Sequence, residues 1–245
     1  MQILNQSFYF FYALVILITL FGAIKTSVTD KTNPNPVYWT LALALMASSN
    51  IFIGLIPYSA KYFLSLGNTT FIFSNFAILL LIRSWNSQLS KKYLYLFWSG
   101  FWLFLCVYEF VIFRQINLEG RVFLISVLGA VLLTWTLIEL TKFARINTER
   151  SINLKVLKLI IFSQITLFTY RAYVVIQPIE VSTNGTLFNE SQITALVRIL
   201  ATGLYLVLFI AIGNIYLERL WKKEQKRSTN AETKMLTSLN ALALA

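Results

Sequence analysis

The sequence predicts an all-α polytopic membrane protein with seven transmembrane helices, its amino terminus outside and its carboxyl terminus inside. Hydrophobic residues make up 57% of the 245 residues and charged residues only 13%, whereas soluble domains keep about a quarter of their residues charged. Seven apolar stretches are each long enough to cross a bilayer, which takes about 20 residues. The basic residues collect on alternate connections between these stretches, which sets the orientation.

The seven stretches are separated by polar or proline-containing segments. Their expected bounds are 7–24, 37–58, 62–82, 93–113, 121–141, 156–178 and 193–217. All four prolines lie at or beside expected helix ends, where a residue without an N–H group does least harm. The third stretch is the least apolar, because its first half contains Ser65, Gly67, Asn68, Thr69 and Thr70. Six spans plus a re-entrant segment at this position are therefore an alternative.

The positions of Lys and Arg predict which ends of the helices face the cytoplasm. With the amino terminus outside, the outer segments carry Lys61, Arg114 and Arg121, and two more basic residues, Arg171 and Arg198, lie within spans. The remaining sixteen of the 21 basic residues then lie on the inner side. This asymmetry follows the positive-inside rule. The net charge of +11 is accordingly interpreted as an orientation signal and not as a nucleic-acid-binding surface.

The chain contains no histidine and a single cysteine, Cys106. Without histidine the commonest general base and the commonest metal ligand are both missing. The sequence also lacks paired intramembrane carboxylates, a phosphate-binding loop and any metal-ligand spacing. We therefore expect no catalytic residues, no enzyme activity, no cofactor and no metal site. Cys106 lies in an apolar run, and we expect it to pack inside the bundle.

Three charged residues stand out in the outer parts of the predicted spans. Glu109 is in the fourth, Arg171 in the sixth and Arg198 in the seventh. A rise of about 1.5 Å per residue places them roughly 6, 10 and 8 Å inside the outer helix ends. A charge that faces lipid near the bilayer centre costs a few kcal/mol, so each is expected to face the bundle and to have a partner. Three helices therefore bring charge to one layer in the outer third of the membrane.

Two interpretations of this charged layer stay open. In the first, Glu109 and one arginine form a structural ion pair, and the second arginine extends to the headgroups. In the second, the extra guanidinium faces an outward-open pocket and binds a small anionic ligand, a carboxylate or a phosphate, through paired hydrogen bonds. The residues that flank the charges, and are candidates to line such a pocket, are Tyr108, Tyr170 and Tyr173.

Polar residues also occur in the middle of the spans. We expect them to form hydrogen bonds with neighbouring helices; the alternative is that they line a pore or substrate path. These residues are Ser48, Ser49, Asn50, Asn75, Thr134 and Gln164.

The last span continues without a helix breaker after Gly213 into a basic and then leucine-containing tail. Residues 1–220 are expected to form the membrane domain, and residues 221–245 a cytoplasmic linker helix. Residues spaced by seven, with a second set between them, form a weak heptad seam. The tail is then either a conformational relay or a basic segment held at anionic headgroups. The seam consists of Trp221, Gln225, Ser228, Glu232, Met235, Leu239 and Leu242.

Two segments, LFTYRAYVV (167–175) and LFIAIGNIYLERLWKKEQ (208–225), resemble the last two helices of bacterial seven-helix membrane sensor modules. Such modules precede diguanylate cyclase (GGDEF), HD-GYP phosphodiesterase or histidine kinase domains. The matching residues are Arg171, Gly213 and the step Glu218, Arg219 and Leu220, which Trp221 follows. The final MLTSLNALALA is similar to the opening of an HD-GYP domain, without that domain's catalytic motifs.

The resemblance implies a sensory input module of the bacterial inner membrane that ends where its output domain begins. It implies a homodimer and a signal relay through Gly213 and residues 218–221 to a cytoplasmic output domain, in cyclic-di-GMP or two-component signalling. The first alternative is a small multi-pass transporter or channel subunit, which requires a polar path across the bilayer. The second is an intramembrane enzyme, for which a nucleophile and a base have not been found.

Overall fold

The computed structural model describes residues 2–29, 35–58, 60–87, 89–112, 116, 118–146, 152–176 and 192–243. These residues form seven helices, and no strand occurs among them. The fourth helix ends in a π-helical turn, Tyr108–Ile112. The helices are α1 Gln2–Thr29, α2 Asn35–Gly54, α3 Ala60–Asn86, α4 Lys92–Val107, α5 Leu118–Ile146, α6 Ile152–Ile176 and α7 Gln192–Ala243.

Each helix contains a segment long and apolar enough to cross a membrane. The expected all-α fold, with seven helices long and apolar enough to span a membrane, is thereby confirmed. The third segment is one continuous helix, which favours seven spans over six spans with a re-entrant segment. The segments are Gln6–Lys25, Val37–Gly54, Tyr62–Asn86, Lys92–Val111, Gly120–Arg145, Ile152–Val175 and Leu196–Arg219.

Helix α3 lies at the centre of the bundle, with 78% of its most apolar window buried. It packs against α2, α4 and α5. The small polar residues that weakened its hydropathy allow this position, because small side chains let helices approach closely in a membrane. A Cβ on Gly67 would lie 3.0 Å from Ile53 Cγ1 of α2, and Ser49 Oγ donates to the Gly67 carbonyl at 2.8 Å.

Helix α4 is the least enclosed of the seven, with 17% of its window buried. It packs chiefly against α3 and exposes large apolar side chains such as Trp102 and Leu103. Cys106 is exposed on this helix, so the expectation that it packs inside the bundle is wrong. The reason is that a run of apolar residues on a membrane helix covers its lipid-facing side as well as its packed side.

Helix α7 packs along α6 and reaches the other half of the bundle through aromatic side chains. Its Phe209 ring lies 5.6 Å from the ring of Trp39 on α2, and Tyr205 lies 5.5 Å from Phe71 on α3. The helix is 52 residues long, and its membrane-spanning segment ends at Arg219. The described side chains that follow residue 220 are exposed.

Candidate functional site

A cavity of about 90 Å³ lies between the ends of six helices on the side predicted to be outside. Helices that alternate in direction bring the start of α1, α3, α5 and α7 next to the end of α2 and α6. The cavity is therefore lined by residues far apart in the chain, among them Tyr12, Asn50, Asn68, Arg171 and Arg198. A volume of this size accommodates several water molecules or a small ligand.

Arg171 and Arg198 both line this cavity, from two antiparallel neighbouring helices. The side chain of Arg198 is largely buried, with 8% of the residue exposed. Its guanidinium carbon lies 5.7 Å from the centroid of the Tyr9 ring on α1, a cation–π distance. Both arginines also interact with other parts of the chain. The structure thus places two of the three predicted charges at one site.

Glu109 does not line the cavity. Its carboxylate accepts a hydrogen bond from Ser65 Oγ at 2.6 Å, and within the described residues the ion pairs do not join it to Arg171 or Arg198. Ser65 lies one residue after Leu64, which lines the cavity. Glu109 therefore contacts α3 close to the cavity, from the π-helical turn of α4, without lining the cavity.

The predicted tyrosines do not line the cavity either. Tyr108 is fully buried and accepts a hydrogen bond from Asn68 Nδ2 at 2.6 Å, so it touches the cavity wall through that side chain. Tyr170 and Tyr173 are 42% and 58% exposed. Successive residues of a helix are rotated by about 100°. The side chains next to Arg171 in the sequence therefore face other sides of α6 and do not line the cavity.

Three other tyrosines line the cavity: Tyr9, Tyr12 and Tyr205. Tyr205 follows Arg198 by seven residues, and helical periodicity places such residues on one face, so the sequence contained a signal for it. The positions of Tyr9 and Tyr12 depend on how α1 packs. None of the three was predicted from the sequence.

Hydrogen bonds at the floor of the cavity fasten α7 to three other helices. Tyr205 Oη donates to Asn75 Oδ1 of α3 at 2.8 Å. Gln164 Nε2 of α6 donates to the Ala201 carbonyl at 2.8 Å, and Tyr12 Oη of α1 donates to the carbonyl of Thr202. In a membrane such polar contacts between helices help to hold the bundle together.

The mid-span polar residues divide into two groups. Ser49, Asn75 and Gln164 form hydrogen bonds between helices, as predicted. Ser48, Asn50 and Thr134 instead donate to carbonyls one turn earlier in their own helices, those of Ala44, Met46 and Ala130. A hydroxyl or amide on an apolar helix donates a hydrogen bond to a backbone carbonyl of the same helix when no partner on another helix faces it.

A second polar cluster surrounds α7 at the opposite end of the bundle, where its span ends. The guanidinium carbon of Arg219 lies 4.2 Å from the ring of Phe143 on α5 and 4.6 Å from the ring of Trp85 on α3. Glu218 accepts a hydrogen bond from Asn153 Nδ2 of α6 at 3.0 Å and pairs with Lys222 at 3.1 Å. Contacts to three helices therefore hold this point of α7.

Glu139 lies beside this cluster and is 7% exposed. Asn86 Nδ2 donates to its carboxylate and to its backbone carbonyl, at 3.0 Å in both cases. Lys142 forms an ion pair with it at 3.2 Å. Glu139 was not among the residues predicted from the sequence, although it is an acid one turn before a lysine at the end of a span.

The remaining residues of the predicted relay lie along the same helix. A Cβ on Gly213 would lie 3.8 Å from Trp39 Cζ2, so this glycine packs against α2. Trp221 is 75% exposed and Met235 is 66% exposed. The side chains of Leu220 and of the seam residues 239 and 242 lie outside the described part of the chain.

Comparisons of the chain with family models, with curated proteins and with solved structures find no match. Among the residues that the structure describes, no three His, Cys, Asp or Glu side chains come together as metal ligands. The function is therefore argued from the two clusters and from the helix that connects them.

Proposed function

We propose that this chain is a sensory input module of the bacterial inner membrane, which relays a stimulus to a cytoplasmic output domain. One observation carries the proposal. Helix α7 lines the cavity with Arg198, Thr202 and Tyr205, passes the second cluster at Arg219, and continues as the same helix to Ala243. A single rigid element thus connects a cavity at one end of the bundle to the far side of the other end.

The dimensions of α7 suit a mechanical relay. Arg198 and Arg219 are separated by about 32 Å along the helix axis, and Ala243 lies about 36 Å further on, at a rise of about 1.5 Å per residue. An α helix transmits rotation and displacement over such distances because its hydrogen bonds are internal. A change in the cavity therefore appears at the exit of α7 as a small shift or rotation, which is the kind of motion that packed helices undergo in switches.

The contacts at the exit are suited to two alternative positions. They consist of stacking by the Arg219 guanidinium and of polar contacts to the partly exposed carboxylate of Glu218. Such contacts contribute only a few kcal/mol together. A switch between two states requires an energy difference of that size. The amino terminus is proposed to lie outside and the tail inside, as the basic residues indicate, and two tails are proposed to pair in a homodimer.

A transporter or channel is less well supported. Between the cavity and the second cluster, α7 contributes Leu208, Phe209 and Ile212, all at most 1% exposed. The ring of Phe209 packs against Trp39 at this level. An apolar layer of this kind separates the two polar clusters and does not favour a polar path across the bundle.

The relay is tested by changing the phase of the tail. The full chain is fused after Ala245 to a reporter enzyme whose activity depends on the pairing of two copies. Deletion of Thr229 rotates everything that follows by about 100°, whereas deletion of residues 228–234 rotates it by only about 20°. We expect the first deletion to change reporter activity severalfold and the second to leave it close to that of the undeleted fusion.

Equal reporter activity in the two deletion variants would contradict the relay. A flexible or passive tail would make reporter activity independent of the rotation of the helix. Protein amount in the membrane is measured for each variant as the control. Arg171→Ala, at the other end of the bundle, is expected to move reporter activity in the seven-residue deletion background and not in the one-residue deletion background.

A further inference from the structure

We propose that the cavity between α1, α2, α3, α5, α6 and α7 binds a small carboxylate with a short apolar body. This inference rests on the proposed function, for which it names the stimulus. The observation that carries it is that two arginines, Arg171 and Arg198, line one cavity together with an apolar wall.

The charge of the site selects an anion. Both arginines line the cavity, and the lining residues, all of them in the described part of the chain, include no Asp or Glu. Each guanidinium has five N–H donors, so an arginine is able to bind a ligand while it also contacts another part of the chain. Glu109 does not line the cavity and accepts a hydrogen bond from Ser65.

The polarity of the site favours a carboxylate over a phosphate. A carboxylate accepts two parallel hydrogen bonds from a guanidinium, as a phosphate does too, so the difference lies in the cost of desolvation. The apolar lining side chains include Met46, Ile53, Phe71 and Phe168, and a doubly charged phosphate would lose more hydration than a single carboxylate on entering such surroundings. The same side chains give an alkyl or aryl body a surface to pack against.

The amides and hydroxyls of the cavity complete this recognition. Asn68 lines it while holding Tyr108, and Tyr9 places its ring under the Arg198 guanidinium at 5.7 Å. A ring in this position keeps the guanidinium fixed in direction, which reduces the conformational entropy lost when an anion binds. A ligand held by both arginines joins α6 to α7, and so it acts directly on the helix that leaves the bundle.

Binding is measured by calorimetry on the full chain in lipid nanodiscs. The probes are acetate, butyrate, benzoate and inorganic phosphate. We expect butyrate and benzoate to bind more tightly than acetate, because they add apolar contact, and phosphate to bind most weakly. Arg171→Gln and Arg198→Gln should each weaken butyrate binding by about tenfold or more, since each removes charge-assisted hydrogen bonds.

The matched control is Arg83→Gln, which removes a positive charge from the opposite end of α3. Arg83 lies over the ring of Tyr93 at 5.4 Å and about 18 Å along the helix axis from Phe71. We expect its butyrate affinity to equal that of the unmodified chain. If a glutamine variant does not fold, Arg198→Lys keeps the charge and loses the planar pair of donors, and a smaller loss of affinity is expected.

The proposal is overturned if none of the carboxylates binds to the folded chain, if phosphate alone binds, or if both arginine variants and the control bind butyrate equally. These outcomes concern the ligand only. A phase-dependent reporter without carboxylate binding would leave the relay standing and remove this site. Carboxylate binding together with equal reporter activity in the two deletion variants would leave the binding site standing and remove the relay.

Discussion

Replacement of Arg219 probes how α7 is held where its span ends. The guanidinium stacks on Phe143 at 4.2 Å and on Trp85 at 4.6 Å. A cation–π contact contributes about 0.5–1 kcal/mol at an exposed site and about 2 kcal/mol when desolvated. Arg219 is half-buried, so the two contacts together contribute about 1–3 kcal/mol. Loss of both should therefore raise the population of the undocked state by about 5- to 150-fold.

Hydrogen exchange measured by mass spectrometry on the chain in nanodiscs reports this equilibrium. In Arg219→Ala we expect the backbone amides of residues 214–222 to exchange faster by that factor, while residues 198–205 keep their exchange rate. Arg219→Lys should lie between the two, because a lysine keeps the charge but cannot stack as a plane. The local opening of a helix end is what this measurement detects.

Lys222→Ala is the matched control, since it removes a cation three residues further along the same helix. Its ion pair with Glu218 has 51% and 33% of the two side chains exposed, and such pairs contribute at most about 0.5 kcal/mol in a helix. We expect exchange to rise by no more than about twofold. An equal rise in the exchange rate in the Arg219 and Lys222 variants would refute the view that stacking of Arg219 on rings of α3 and α5 holds α7.

Two further predictions concern the stability of the bundle, measured as thermal unfolding in detergent. Tyr205→Phe leaves Asn75 Oδ1 buried without its donor, which should lower stability by about 1–3 kcal/mol; the exposed control Tyr95→Phe should not, and equal melting temperatures would contradict the role of this bond. Gly67→Ala places a methyl group 3.0 Å from a side chain of α2 and should destabilise by about 1–3 kcal/mol. At Gly203 a Cβ has no neighbour within 4 Å, so Gly203→Ala should be neutral or slightly stabilising. A Gly67→Ala variant as stable as Gly203→Ala would show that α2 and α3 separate at little energetic cost.

The case of α3 shows where hydropathy and packing differ. Its small polar residues lowered the apolar signal and raised a six-span alternative, yet this helix is the most enclosed of the seven. The reason is that hydropathy measures transfer to lipid, whereas Gly67 and Ser74 face other helices and not lipid. Ser74 Oγ donates to the Ala42 carbonyl at 2.7 Å, so its hydroxyl is satisfied inside the bundle.

Glu109 and the two arginines show the same division for the candidate site. Their depth along the helices follows from a constant rise per residue, so a common layer was predictable. The element that each of these side chains faces depends on how the helices pack against one another. Packing separated Glu109, on the side of Ser65, from Arg171 and Arg198 in the cavity.

The amino-acid order is sufficient to specify seven membrane-length helices, because a bilayer requires every backbone group to be bonded within its own helix over about 20 apolar residues. These are local requirements, and each segment meets them alone. The identity of the groups that meet at the cavity and at the exit of α7 depends on how the helices are rotated and paired. The rotation and pairing of the helices result from many weak contacts between residues far apart in the chain, such as those of Arg219 with Trp85 and Phe143. The periodic pattern within one helix does not specify these contacts.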